Sequence, residues 1–257
     1  MNIHELRADI DKIDNEMLAL FQARMELSKK VAAYKIAHGS VILDAKRERQ
    51  IIGKYDEDAY FKRFIQEIME ISRCIQTKIA LNNNIVLIGM MGSGKTSVGR
   101  ILSDLLDIEC VDTDKAVEKA QKLSIPSIFS RYGEKGFRSL ESAQIASAVA
   151  KKPPRVISTG GGVILNEKNM LLLRSNGLVF FLNRPIEAIQ YDLENVFSKR
   201  KFRLKRPLLA KKNDLIRIYQ ERLPLYKKYA DYEIKGNFRS IDAAQRILKE
   251  LQLRGKL

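Results

Sequence analysis

The segment at residues 85–97, "IVLIGMMGSGKTS", decides the fold of most of the chain. Four apolar residues ending on a glycine read as a buried strand. Gly89 then opens the pattern G-x-x-x-x-G-K-[ST], and a helix begins at Lys95. A strand before and a helix after is the context this pattern needs to bind phosphate. Gly92, Ser93, Gly94, Lys95, Thr96 and Ser97 form the loop that closes round nucleotide phosphates. Its glycines bring backbone N–H groups close, Lys95 reaches the terminal phosphates, and the Thr96 hydroxyl suits Mg²⁺.

Downstream, strands are expected near 108–111, 155–159, 178–182 and 232–235. Helices run through 115–149 and again from Ser240. Alternating strands and helices imply a parallel sheet with helices on both faces. "VDTD" (111–114) ends the second strand, so Asp112 and Asp114 project at the carboxyl edge on one side of the chain. One carboxylate near Mg²⁺ and one near an acceptor hydroxyl is a sensible division. "YGEKGFRSLE" (132–141) offers Arg138, whose fork can grip a carboxylate in two places. "STGGG" (158–162) lets backbone approach a ligand closely.

Upstream the texture is helical. "NNN" (82–84) breaks the last of three helices, which sets a boundary near residue 84 between domains 1–84 and 85–257. The first helix runs from 4 to about 37 without Gly or Pro. At 1.5 Å per residue it is ~50 Å long, too long to bury its stripe within a three-helix unit. It therefore needs a partner chain or a long antiparallel companion. Its apolar stripe is Ile13, Met17, Leu20, Leu27, Val31 and Tyr34, and the stripe position between Leu20 and Leu27 holds Arg24. Lys35 follows on nearly the same face, and two cations beside an apolar seam point to an enclosed anion. A short helix at 44–55 adds Asp44, Arg47 and Glu48. The third helix, 59–81, adds Ser72 and Gln76 one turn apart.

Of the formal charge of +15, residues 1–84 carry almost none, with 14 Lys+Arg against 13 Asp+Glu. "KRKFRLKRPLLAKK" (199–212) concentrates eight basic residues without an acid. A polyanion or an anionic small substrate explains such a run. No recognition helix, aromatic-rich strand or zinc spacing supports nucleic-acid binding. Cys74 and Cys110 form no metal or redox spacing and read as small core residues, reduced in a cytosol. The start, "MNIHELRADID", lacks the basic-then-apolar form of a secretory signal, and no run is long enough to span a membrane. A cytoplasmic protein is expected.

Residues 85–252 resemble shikimate kinase. The resemblance rests on the phosphate loop, D-T-D, G-E-x-x-F-R-x-x-E, the triple glycine, R-P-L-L and R-x-P-L-Y, in that order. It implies ATP and Mg²⁺, with Thr96 and Asp112 on the metal side and Lys95 in catalysis. Shikimate's carboxylate falls to Arg138 and Arg222, and its hydroxyls to Asp114 and to Gly160, Gly161 and Gly162. Arg206 is similar to the arginine of a mobile lid closing on ATP. The adenine-stacking arginine of the family is replaced by Lys199, followed by Arg200.

Residues 3–80 resemble the all-helical class of chorismate mutase. Arg7, Arg24, Lys35, Asp44, Arg47, Glu48, Ser72 and Gln76 occupy its eight polar positions. The resemblance implies an intertwined homodimer in which Arg7 reaches the partner's pocket. Arg7, Arg24 and Arg47 would hold carboxylates, Lys35 and Gln76 the ether oxygen, and Asp44 and Glu48 the ring hydroxyl. Such catalysis is positioning plus fixed electrostatics. The chain thus reads as a bifunctional enzyme of aromatic amino-acid biosynthesis. The alternative keeps the kinase and makes residues 1–84 a dimerising or ligand-sensing module.

Overall fold

The structure, a computed structural model, describes residues 2–195 and 212–254. It separates into two compact units: one ends at Leu81 and also takes in the residues from Lys249 onward, and the other is Asn82–Leu248.

In the first unit, α1 (Ile3–Ala37) begins with a capping box. The Asn2 side chain accepts from His4 N, while Glu5 accepts from Asn2 N, so two otherwise orphaned donors are satisfied. Asp44 caps α2 (Ala45–Ile52), and Asp58 caps α3 (Ala59–Ala80). The side chains that α1 buries are Met25, Ser28 and Ala32. The stripe read from the sequence is a different face. Leu20 is 72% exposed and Leu27 61%, and Ile13, Met17, Val31 and Tyr34 are exposed as well. Stepping round the helix from Leu20, Arg24 lies about 40° and Lys35 about 60° away, whereas Ala32 and Met25 lie about 120° and 140° away. Val31 lies about 20° and Met17 about 60° from Leu20 in the same sense, so Arg24 stands within the stripe, and Lys35 lies with it on the side nearest the face packed on α3. On the third helix Phe61, Phe64, Ile71 and Ile79 are exposed, while Ile68, Ser72, Gln76 and Thr77 are buried.

In the second unit five parallel strands run in the order β2-β3-β1-β4-β5. They are β1 (Asn84–Ile88), β2 (Cys110–Asp112), β3 (Val156–Ser158), β4 (Gly177–Asn183) and β5 (Tyr232–Lys235). The connecting helices are α4 (Lys95–Leu106), α5 (Thr113–Gln121), α6 (Ile125–Ala150), α7 (Glu167–Ser175) and α8 (Ile186–Asn195). They are followed by α9 (Lys212–Tyr229) and α10 (Ser240–Gln252). All five residues of β1 are buried, as a central strand covered on both faces requires. The adjacent carboxyl ends of β2, β3 and β1 lead into Asp112–Asp114, Gly160–Gly162 and the phosphate loop. Three motifs far apart in sequence thus share one edge, where parallel sheets bind ligands.

The core reaches that edge through Tyr226. Its ring stacks on Phe181 with centroids 4.9 Å apart, and its hydroxyl donates to Gly161 O at 2.5 Å. Phe181→Ala is expected to destabilise this unit by about 3–5 kcal/mol. Leu171→Ala, at an exposed position, is expected to cost less than about 0.5 kcal/mol. Denaturant unfolding of the two variants checks the contrast.

Candidate functional site

At the β1–α4 turn Gly92 and Gly94 adopt φ of +80° and +95°, conformations that side chains with a Cβ rarely take. The turn delivers the N-terminus of α4, with its unpaired N–H groups, to the sheet edge. Lys95 is buried, and its Nζ donates to Gly89 O at 2.8 Å and to Met90 O at 2.9 Å. The carbonyls hold the ammonium while leaving its formal charge intact. Thr96 Oγ1 donates to Asp112 Oδ2 at 2.7 Å. Among the described residues no group of three or more His, Cys, Asp or Glu side chains is arranged to hold a metal. The Thr96–Asp112 pair still fits Mg²⁺, which takes one or two protein oxygens and completes its shell with phosphate and water.

A cavity of about 420 Å³ adjoins this loop. Asp112, Asp114, Arg138, Gly160, Gly161, Gly162 and Arg222 all line it, together with the phosphate loop. Arg138 pairs with Glu141 at 2.8 Å and with Glu134 at 3.2 Å. Arg222 Nη1 donates to Gly161 O at 3.1 Å. The triple glycine leaves the space these groups use. A Cβ on Gly160 would lie 2.5 Å from Asp114 Oδ1 and 2.9 Å from Glu141 Oε1, and one on Gly162 would strike the Arg138 guanidinium. Glu141 is 1% exposed, and its Oε1 has no hydrogen-bond partner. Burial pushes its carboxyl above the ordinary range, while the positive charges of Arg138 and Arg222 pull it back.

In the helical unit Arg24 donates to the Ser72 hydroxyl and, at 3.4 Å, to Ile68 O. Lys35 Nζ donates to Ile42 O at 2.5 Å. Burial lowers the Lys35 pKa, and the negative charges of Asp44 and Glu48 oppose that shift. Gln76 is buried with Oε1 unpartnered, a polar group aimed at no protein donor. Asp44 caps α2, and Arg47 on the same helix is exposed. Arg7 does not join this group. It is exposed and lies seventeen residues before Arg24 on one continuous helix, about 25 Å away along the axis.

A shikimate kinase family model matches residues 91–252. The chain belongs to the shikimate kinase family. The Caldicellulosiruptor bescii shikimate kinase is 42% identical over 169 residues, covering 64% of this chain and 93% of that protein. The Thermodesulfovibrio yellowstonii shikimate kinase is 41% identical over 173 residues, covering 66% and 95%. The solved shikimate kinase from Acinetobacter baumannii, in complex with shikimate, is 36% identical with a TM-score of 0.59 over 66% of this chain and 92% of that one. The Aquifex aeolicus enzyme gives 36% and 0.56, covering 66% and 96%. A chorismate mutase type II model matches residues 6–77. The chain is a fusion of the two domains and a bifunctional enzyme of aromatic biosynthesis.

Two charged residues, one in each unit, were given no role from the sequence. Glu141 stands three residues after Arg138 on one helix, so its pairing was available from the spacing alone. Arg73 pairs with Glu48 at 2.6 Å across two helices, and nothing local in the sequence signals that contact. Lys199, Arg200 and the expected lid residue Arg206 lie outside the described residues. Cys74 and Cys110 are free thiols, and burial pushes Cys110 up to about 11, which suits a packing residue.

The raised Glu141 pKa has a signed consequence. The folded state keeps that proton to higher pH than the unfolded chain, whose value is about 4.3. The contribution to stability is thus fully present at low pH and lost as pH rises through the folded value. Glu141→Gln has no such dependence. Its thermal midpoint minus that of wild type is expected to become more positive between pH 4 and 7, and a flat difference contradicts the shift.

Proposed function

We propose that the two activities use separate side-chain sets, the kinase set within residues 85–257 and the mutase set within 1–84. In the kinase set Gly92 to Ser97 hold the phosphates of ATP, and Lys95 neutralises charge on the transferred group. Arg138 and Arg222 hold the shikimate carboxylate, while Gly160 to Gly162 and Asp114 surround its hydroxyls. The hydroxyl oxygen forms a bond to the γ-phosphorus as the bond to the bridging oxygen of ADP breaks, and Asp114 receives the hydroxyl proton. Held by Thr96 and Asp112, Mg²⁺ would neutralise phosphate charge. Arg206 supplies the lid cation. The observation that carries this reading is the convergence of Asp114, Arg138, Arg222 and three glycines with the phosphate loop on one cavity.

In the mutase set Arg24 and Arg47, with Arg7 of the partner subunit, hold the two carboxylates of chorismate. Ser72 positions Arg24. Asp44 and Glu48 hold the ring hydroxyl. Lys35 and Gln76 donate to the ether oxygen, where negative charge grows as the C–O bond breaks and a C–C bond forms. No nucleophile or cofactor is required, so the work is orientation and fixed electrostatics. The exposed apolar face of α1 and the distance of Arg7 from its own chain's cluster both support a homodimer. No described helix is long and apolar enough to cross a membrane. We place the enzyme in the cytoplasm with small-molecule partners and no nucleic acid.

Paired assays on the intact chain test this division. Lys95→Ala is expected to reduce shikimate-dependent ADP formation about 10³-fold and to spare chorismate turnover. Arg24→Ala is expected to do the reverse. Wild type that fails to consume chorismate overturns the mutase assignment, and a Lys95→Ala chain with normal kinase rate overturns the other. Leu27→Glu is expected to shift the chain toward monomer in sedimentation and to lower chorismate turnover with the kinase rate kept.

A further inference from the structure

Glu48 is held by a residue that the assignment above leaves out. Arg73 Nη1 lies 2.6 Å from Glu48 Oε1, and each side chain is only about one-fifth exposed, 21% and 23%. A charge-assisted bond at that distance and depth is stronger than a surface pair. Its position is central. Ser72, the neighbour of Arg73 on α3, accepts from Arg24. Gln76 stands one turn further along the same helix. Asp44 and Glu48, one turn apart on α2, both act on the Lys35 ammonium. Glu48 therefore has two cations within its field, the planar Arg73 fork that it touches and the flexible Lys35.

We propose that Arg73 is a positioning residue of the mutase site, holding Glu48 away from Lys35 so that carboxylate and ammonium do not neutralise each other. The inference rests on the mutase reading of this unit. With the guanidinium on Glu48, the carboxylate keeps its remaining lone pairs for a ligand hydroxyl. Lys35 stays on a neutral oxygen, Ile42 O, and gives its donors to the ligand at no cost in a broken ion pair. Remove the Arg73 charge and Glu48 becomes a part-buried carboxylate without its partner, which is costly. The cation that already shares its field is Lys35, on a four-carbon stem long enough to turn. The resulting Lys35–Glu48 pair must be broken by every ligand that binds. That is a loss of ground-state affinity, so it shows in KM before kcat.

The test is a double-mutant cycle on the full-length chain, following loss of chorismate. Arg73→Leu is expected to raise KM about tenfold with kcat within about threefold of wild type. In a Glu48→Gln background, where no ion pair with Lys35 can form, the same substitution is expected to change KM less than about twofold. Arg73→Lys, which keeps the charge, is expected to stay within about threefold of wild type. Far-UV circular dichroism on heating verifies the helices; if Arg73→Leu melts early, Arg73→Gln takes its place in the cycle. An equal KM change in both backgrounds overturns the proposal, because Arg73 then acts on the ligand independently of Glu48. An unchanged KM in Arg73→Leu overturns it too. Absence of chorismate turnover by wild type overturns the mutase reading and this proposal together, whereas normal wild-type turnover with an additive cycle overturns this proposal alone.

Discussion

A site that binds a multiply charged anion must hold several cations close together without letting them be cancelled by the protein's own acids. Both units meet this constraint in the same way. Lys95 rests on the carbonyls of Gly89 and Met90, Lys35 on that of Ile42, and Arg222 on that of Gly161. Arg24 rests on a hydroxyl and a carbonyl. Neutral oxygens orient a cation but leave its net charge for the ligand. Carboxylates aim a fork, as with Glu141 on Arg138, or are themselves held, as with Glu48 on Arg73.

The fold follows from where those cations must stand. In the α/β unit, parallel strands with helical crossovers bring Asp112, the triple glycine and the phosphate loop to neighbouring strand ends. The buried Tyr226 hydroxyl then ties the middle glycine to the core. In the helical unit one uninterrupted helix carries Arg7, Arg24 and Lys35, and its stiffness separates the first from the other two by about 25 Å. A single chain cannot fold Arg7 back onto its own cluster without breaking α1. The same helix exposes a continuous apolar face, with Leu20, Leu27, Val31 and Tyr34 uncovered. In the homodimer proposed above, a second copy of α1 buries this face and its Arg7 joins the cluster.

Much of this was legible in the sequence. The strand ending at Gly89, the loop to Ser97 and the alternation after it led to a parallel sheet, because these signals are local and periodic. What the sequence left open was which residues each helix packs within its own chain. The most regular apolar stripe on α1 is not the one its own chain buries. Met25, Ser28 and Ala32 are, and two of those three are small, so they carry little hydrophobic signal. On α3 the buried face is partly polar, with Ser72, Gln76 and Thr77, as a pocket wall requires. Arg24 does stand within the stripe, and what helical spacing could not show is the pair of oxygens on α3, the Ser72 hydroxyl and Ile68 O, that hold it. Arg73 was not legible at all, since its partner stands on another helix.

The claim that joins these points is that a mutase site is completed by Arg7 of a second chain. Mixing chains by co-expression tests it. Arg7→Ala and Arg24→Ala chains, each inactive toward chorismate alone, form hybrids with one intact site if Arg7 crosses between subunits. Random pairing then predicts recovery of about a quarter of wild-type chorismate turnover, since half of the dimers are hybrids with one good site in two. No recovery in a mixture shown to contain hybrids would contradict the account.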